Sequence, residues 1–243
     1  MSRFKLICQY DGSNFHGWQL QKDKRTVQGE LEKAIAKLNK GKLIHVVGSG
    51  RTDAGVHAFG QVAHFDMNTK LDHNTLKKAI NANLNEDCYI ESIELVNDEF
   101  HARFSAVRRE YIYSCRQNRN VLDRNRVWYA DKLNMLKLNN AARILIGKHD
   151  FLSFSKKNPQ IKNTICNIYQ SKWKKTDEIV NYHISGNRFL HHMVRYLVGS
   201  MIAISKGKYS IEQLKNELDN PNSDSKQFKA PAYGLLLNHI SYE

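Results

Sequence analysis

The sequence predicts an α+β protein made of two ferredoxin-like halves. Each half has the order β-α-β-β-α-β, with antiparallel sheets covered on one face by helices and a cleft between the halves. Three observations lead there. The chain opens on a period of two, Phe4, Leu6, Cys8 and Tyr10 alternating with Lys5, Ile7 and Gln9. Amphipathic helical stretches with recognisable ends alternate with strand-like stretches. The order of elements in residues 1–103 then recurs in residues 104–243, with an insertion before the last strand.

The first strand ends in the turn residues Asp11-Gly12-Ser13. Thr26 has the chemistry of a helix N-cap, and Val27, Leu31, Ala34/Ile35 and Leu38 then fall on one helical face, with Gly41 where the helix would stop. Strands are expected near Ile44 to Val47 and from Val56 to Phe65. A helix over Asn74 to Leu84 and a strand over Tyr89 to Val96 complete the first half. The second half opens with a strand over Ser105 to Cys115, placing Val107, Arg109, Tyr111, Tyr113 and Cys115 on one side. A helix follows over Leu136 to Ile146, stopped by Gly147, then strands over Ile165 to Trp173 and Ile179 to Ser185. An apolar helix is expected from Arg188 to Ser205 and a short one from Ile211 to Leu218. The loop Asn220 to Ser225 leads to a last strand, Gly234 to Ile240.

With 243 residues, 41% hydrophobic and 25% charged, the chain can bury a sizeable core and is not mostly disordered. Three prolines and 13 glycines rule out collagen-like or low-complexity sequence. The cysteines Cys8, Cys88, Cys115 and Cys166 are far apart and form no C-x-x-C pair, which points to reduced thiols in a cytoplasmic protein. The N-terminus reads as a strand and not as an export signal. The most apolar stretch, Phe189 to Ile204, contains His191, His192 and Arg195 and is too short to span a bilayer. A formal net charge of +13 calls for a polyanionic partner. Nucleic acid comes first, a membrane surface second, and simple solubility is the plain alternative.

The densest motif is Gly48-Ser49-Gly50-Arg51-Thr52-Asp53-Ala54-Gly55-Val56-His57. Three glycines in eight residues, between two expected strands, make a loop whose backbone can approach a ligand closely. Asp53 has three readings there: nucleophile, general base or turn former, the last being the usual role of Asp in such a loop. The loop lacks the Gly-Lys-Ser/Thr ending of a Walker P-loop, and it does not head an expected helix as a dinucleotide fingerprint does.

This loop closely resembles the signature of the TruA-type tRNA pseudouridine synthases. The resemblance runs along the whole chain: Tyr10-Asp11-Gly12, Gly17-Trp18-Gln19, Thr26-Val27-Gln28, Arg109-Glu110-Tyr111-x-Tyr113, His149-Asp150-Phe151, Phe189-Leu190-x-x-Met193-Val194-Arg195 and Ala230-Pro231-Ala232-x-Gly234-Leu235-x-Leu237. Seven short pieces in the right order are very hard to produce by chance. One departure is Cys166, which stands where the family has Arg, in a strand remote from the signature loop. It bears on a peripheral contact and not on the class.

The resemblance implies a cofactor-free isomerase whose catalytic cleft lies between the halves. Such an enzyme detaches uracil from its ribose, rotates it and rejoins it through carbon, at nucleotides 38, 39 and 40 of the tRNA anticodon arm. It further implies Asp53 as the nucleophile and Arg195 as the cation that keeps it ionised. Arg51 would fill the gap left by the flipped nucleotide, and Tyr111 would stack on the flipped base. It also implies a homodimer in which one tRNA contacts both subunits.

The residues alone leave plainer readings open. Arg195 reads as a cation snorkelling from a core helix, Arg51 as a phosphate contact, and Tyr111 as a sheet aromatic of the core. A phenol with a pKa near 10 is also a poor base unless perturbed. Leu235 and Leu237 read as pocket wall or core, and Trp18 and Trp128 as core. The pair His191-His192 lacks the spacing of metal ligands on a helix, so no metal is expected. Lys156-Lys157 and Lys172-Trp173-Lys174-Lys175 could bind phosphates, but exposed lysines on loops are usually just solvated. An RNA-binding protein of two RRM-like halves would want an aromatic RNP1 strand, which no segment supplies. A glycoside hydrolase would need a second carboxylate, and no spacing singles one out among Asp11, Glu110 and Asp150.

Overall fold

The computed structural model describes residues 1–158, 160–225 and 228–242. It is an α+β structure in two compact units, Met1–Val107 with the strand from Leu236 onward, and Arg108–Leu235. The chain order in the first unit is β1 (Ser2–Tyr10), α1 (Val27–Leu38), β2 (Val47–Gly48), β3 (His57–Met67), α2 (His73–Asn81) and β4 (Cys88–Val96). Then follow β5 (Ala106–Arg116), β6 (Trp128–Tyr129), α3 (Met135–Ile144), β7 (Gly147–Asp150), β8 (Ile165–Thr176), β9 (Ile179–Gly186), α4 (Met193–Ser205) and α5 (Ile211–Asp219). The last strand is β10 (Leu235–Tyr242).

In the first unit β1 lies between β3 and β4, antiparallel to both. Its even-numbered residues from Phe4 to Tyr10 are buried while the odd ones are partly exposed, as period-two alternation requires when helices cover one face. Thr26 caps α1, its hydroxyl accepting the Gly29 N–H at 3.2 Å. Beyond the helix, Gly41 adopts φ +78° and its N–H donates to the Ala36 carbonyl at 2.9 Å. That closes α1 in a conformation most side chains would resist. β10 runs parallel to β3, with Leu236 opposite His57 and Leu237 opposite Ala58.

The second unit orders its strands β5-β9-β8-β7, all antiparallel, with the short β6 parallel to β5. Its core sits under α4, where Trp173 Nε1 donates to Met201 Sδ at 3.3 Å and the Trp173 and Tyr182 rings lie 4.9 Å apart. Trp18 is buried and Trp128 partly so, and Leu235 and Leu237 are core residues. All four cysteines are free thiols and buried. Among the described residues no helix is long and apolar enough to cross a membrane.

Two short strands, β6 and β7, appear where the sequence predicts none, and two expected elements are shorter than predicted. The strand expected from Ile44 shrinks to Val47–Gly48, because the Glu32 carboxylate accepts the Val46 N–H at 3.0 Å and replaces a ladder partner. The apolar helix expected from Arg188 begins only at Met193. His192 sits in the left-handed region at φ 67°, which ends any helical run approaching it from Arg188.

Candidate active site

The signature loop hangs between β2 and β3, and the segment after β1 cradles its backbone. The Trp18 N–H donates to the Thr52 carbonyl at 3.1 Å, and the Gly55 N–H donates to the Phe15 carbonyl at 3.3 Å. Gly12 and Gly17 are required by this embrace. A Cβ at Gly12 would lie 2.1 Å from the Val56 carbonyl oxygen, and one at Gly17 2.6 Å from that of Thr52. Gly17 also takes φ +88°. The Tyr10-Asp11-Gly12 and Gly17-Trp18 motifs are thus the bed on which the loop lies. The bed is pinned in turn: Arg25 holds Asp87 through two bonds of 2.6 and 2.7 Å, and its guanidinium covers the Phe15 ring at 4.2 Å. The Arg25 hydrogen bonds keep the Asp87 carboxyl below its ordinary pKa.

Side chains fix the loop from within as well. Tyr10 Oη and Thr52 Oγ1 share a hydrogen bond of 2.8 Å, Gln61 Nε2 donates to the Gly50 carbonyl at 2.9 Å, and the Gly12 N–H donates to His57 Nδ1 at 3.1 Å. The Asp53 carbonyl accepts the Val56 N–H at 3.1 Å and closes the turn through Ala54-Gly55. Asp53 therefore does form a turn, but with its backbone. Its carboxylate is half-buried, between buried Thr52 and exposed Ala54, and Arg51 is exposed. The result is a carboxylate and a guanidinium two residues apart on a backbone that other residues hold still.

The second unit positions Tyr111 and Arg195. Tyr111, on β5, is half-buried, and its ring meets Phe189 edge to face at 5.1 Å and 84°. Its neighbour Arg109 donates from Nη1 to the Asn187 carbonyl at 2.7 Å, tying β5 to the segment that carries Phe189. Tyr113, two residues on, is fully buried, and its Oη donates to the Pro231 carbonyl at 2.8 Å. Burial pushes its phenol well above the ordinary value. The Tyr113 ring fills the space beside Gly234, where a Cβ would come within 2.6 Å of it.

Arg195, on α4, is half-buried. Its Nε donates to the Ala230 carbonyl at 2.9 Å, and the Ala230 N–H donates back to the Arg195 carbonyl at 3.0 Å. This two-way lock fixes the guanidinium and explains why the Met193-Val194-Arg195 and Ala230-Pro231 motifs occur together. Of the sequence-predicted site residues, Asp53 and Arg51 share one loop of the first unit, and Tyr111 and Arg195 belong to the second. Cys166 is buried in β8 opposite His149, and burial pushes its thiol up to about 12.

Sequence reasoning missed Tyr10, Thr52, His57 and Gln61 as the scaffold of the loop. One signal was available: Gln61 is polar within a stretch of β3, Gly60 to Phe65, that is otherwise apolar except for His64.

A family model described as tRNA pseudouridine synthase matches residues 6–105 and 141–243. The chain is 40% identical over 244 residues to the tRNA pseudouridine synthase A of Geobacillus sp. (strain WCH70), covering 99% of this chain and 98% of that one. To the protein of that name from Bacillus subtilis (strain 168) it is 39% identical, with 99% of each chain covered. To that from Ehrlichia chaffeensis (strain ATCC CRL-10679 / Arkansas) it is 41% identical, with 99% of this chain and 100% of that one covered.

Proposed function

The chain belongs to the tRNA pseudouridine synthase family, and from that premise we propose that it acts on uridines 38, 39 and 40 of the tRNA anticodon arm, with Asp53 as nucleophile. The reaction is an isomerisation of uridine to pseudouridine in tRNA. The bond between uracil N1 and ribose C1′ breaks, and a bond between C5 and C1′ forms. The C5 proton leaves and N1 takes one up, so atoms and electrons balance without a redox partner, and the reading calls for no cofactor.

The observation that carries this reading is the presentation of Asp53, a half-buried carboxylate on a glycine-rich loop whose backbone is bonded on both sides. A nucleophile held in place loses little freedom on reaching its target. Arg51, exposed on the same loop, is suited to enter the base stack when the target nucleotide leaves it. Tyr111 is the platform for the extruded uracil, its ring set upright by Phe189. Arg195 is the cation that keeps the Asp53 carboxylate ionised.

The finer architecture we propose is the duplication of a ferredoxin-like half, residues 1–103 and 104–243. It is supported by the chain order β1-α1-β2-β3-α2-β4 in the first stretch, and by β5-α3-β8-β9-α4-β10 with three added elements in the second; β10 departs from a simple duplication, since from Leu236 onward it belongs to the first unit, beside β3. The resemblance to the TruA type also supports a homodimer working on tRNA in the cytoplasm. The test is to incubate the protein with unmodified tRNA and map pseudouridine along it. Pseudouridine confined to positions 38 to 40 is expected. Modification confined to another arm would overturn the site assignment.

A further inference from the structure

We propose that Gln61 is a positioning residue that holds Arg51 in the posture needed for base flipping. This rests on the reading of Arg51 given above. Gln61 is fully buried on β3, beside an irregularity of the sheet. Between the pairs Cys8–Gln61 and Tyr10–Ala58, β3 carries one residue more than β1. Such a bulge turns a side chain out of its regular direction. Here the Gln61 amide reaches the Gly50 carbonyl, eleven residues back along the chain, at 2.9 Å.

Gln61 is otherwise poorly suited to its place. Its Oε1 is buried and has no hydrogen-bond partner among the described residues. Leaving an amide oxygen unsatisfied in a core is unfavourable. Turning the amide over would set Oε1 against the Gly50 carbonyl, oxygen facing oxygen, so the orientation is forced. An apolar side chain of similar volume would avoid the cost altogether, which leaves as the use of this residue a long contact with Tyr10 Oη at 3.5 Å and, chiefly, its 2.9 Å bond to Gly50.

That bond is one of two that bracket a single position. Gln61 holds Gly50 on one side of Arg51, and Tyr10 Oη holds the Thr52 hydroxyl at 2.8 Å on the other. Gly50 has nothing within 4 Å of where its Cβ would be, so packing does not hold it. The Ser49 N–H is held by the Val62 carbonyl at 2.8 Å, but glycines are conformationally free, and without the Gln61 bond the chain would rotate at Gly50 and carry Arg51 with it. Gln61 therefore restricts the one exposed cation of the loop.

The test is single-turnover pseudouridine formation on two tRNAs, one with the target uridine paired in the stem and one with it mismatched. The enzymes are wild type, Gln61→Leu, Arg51→Ala and the double variant, with Gln61→Met as a second replacement should leucine unfold the chain. Gln61→Leu should slow the paired target about tenfold or more and the mismatched target less than about threefold. The double variant should be no slower than Arg51→Ala alone, since both changes remove one device. The melting temperature should stay within about 3 °C of wild type, because the unsatisfied oxygen goes together with the amide. Equal slowing on both targets, or additive losses in the double variant, would overturn the assignment of Gln61. If Arg51→Ala itself ignores pairing, the base-flipping role of Arg51 falls first, and that of Gln61 with it.

Discussion

Two arginines of the proposed site carry the same charge in different surroundings. Arg195 is locked into α4 through its own Nε and the Ala230 carbonyl, whereas Arg51 stands exposed on a loop. If Arg195 is the counter-ion of Asp53, its removal raises the carboxyl pKa, and the fraction ionised falls at a given acid pH. Arg195→Met should then lower the rate strongly and move the acid limb of the pH–rate profile upward, with recovery as pH rises. Arg51→Ala should show no such pH rescue and should recover on a mismatched target. The reverse pattern, mismatch rescuing Arg195→Met and high pH rescuing Arg51→Ala, would exchange the two roles. At this scale the sequence was legible where the family signature sits in consecutive residues, as in the run from Gly50 to His57. It was not legible where a residue acts across the fold. Tyr10 meets Thr52 across 42 positions and Tyr113 meets Pro231 across 118, and no local pattern encodes either meeting.

Elements were legible where their ends carry capping chemistry. Thr26, read as a cap, starts α1; α5 carries a signal that went unread, the full capping box of Ser210 and Gln213. α4 was misplaced at its start because apolar composition continues through Leu190, and the left-handed turn at His192 is set by tertiary context. β2 was misplaced because a glutamate from α1 takes its backbone donor. β3 offers a test of element stability through His64. That ring is buried, and its Nδ1 accepts the Ala102 N–H at 3.2 Å. Burial, aided by His101 and Arg3, lowers its pKa from 6.5 to about 4. A folded pKa below the unfolded one makes a histidine stabilising while neutral. Its contribution is therefore complete above pH 6.5 and is lost as pH falls toward 4, amounting to at most about 3 kcal/mol. Denaturant titrations between pH 7 and 4 should show this slope, and His64→Gln should flatten it. An unchanged slope in the variant would remove His64 as its source.

For the whole molecule, the net charge of +13 and the isomerisation of tRNA fit together. Phosphate contacts supply most of the affinity and none of the chemistry. The two contributions are therefore separable by a substitution that keeps shape and removes the negative charge of Asp53. The most direct measurement follows tRNA binding and pseudouridine formation side by side for wild type and Asp53→Asn, across a series of salt concentrations. In both proteins affinity should fall steeply with salt along the same slope and agree within about threefold. Pseudouridine formation by the variant should drop below about a hundredth of the wild-type rate. A variant that binds normally and still isomerises above that level would contradict Asp53 as the nucleophile, and with it the central claim.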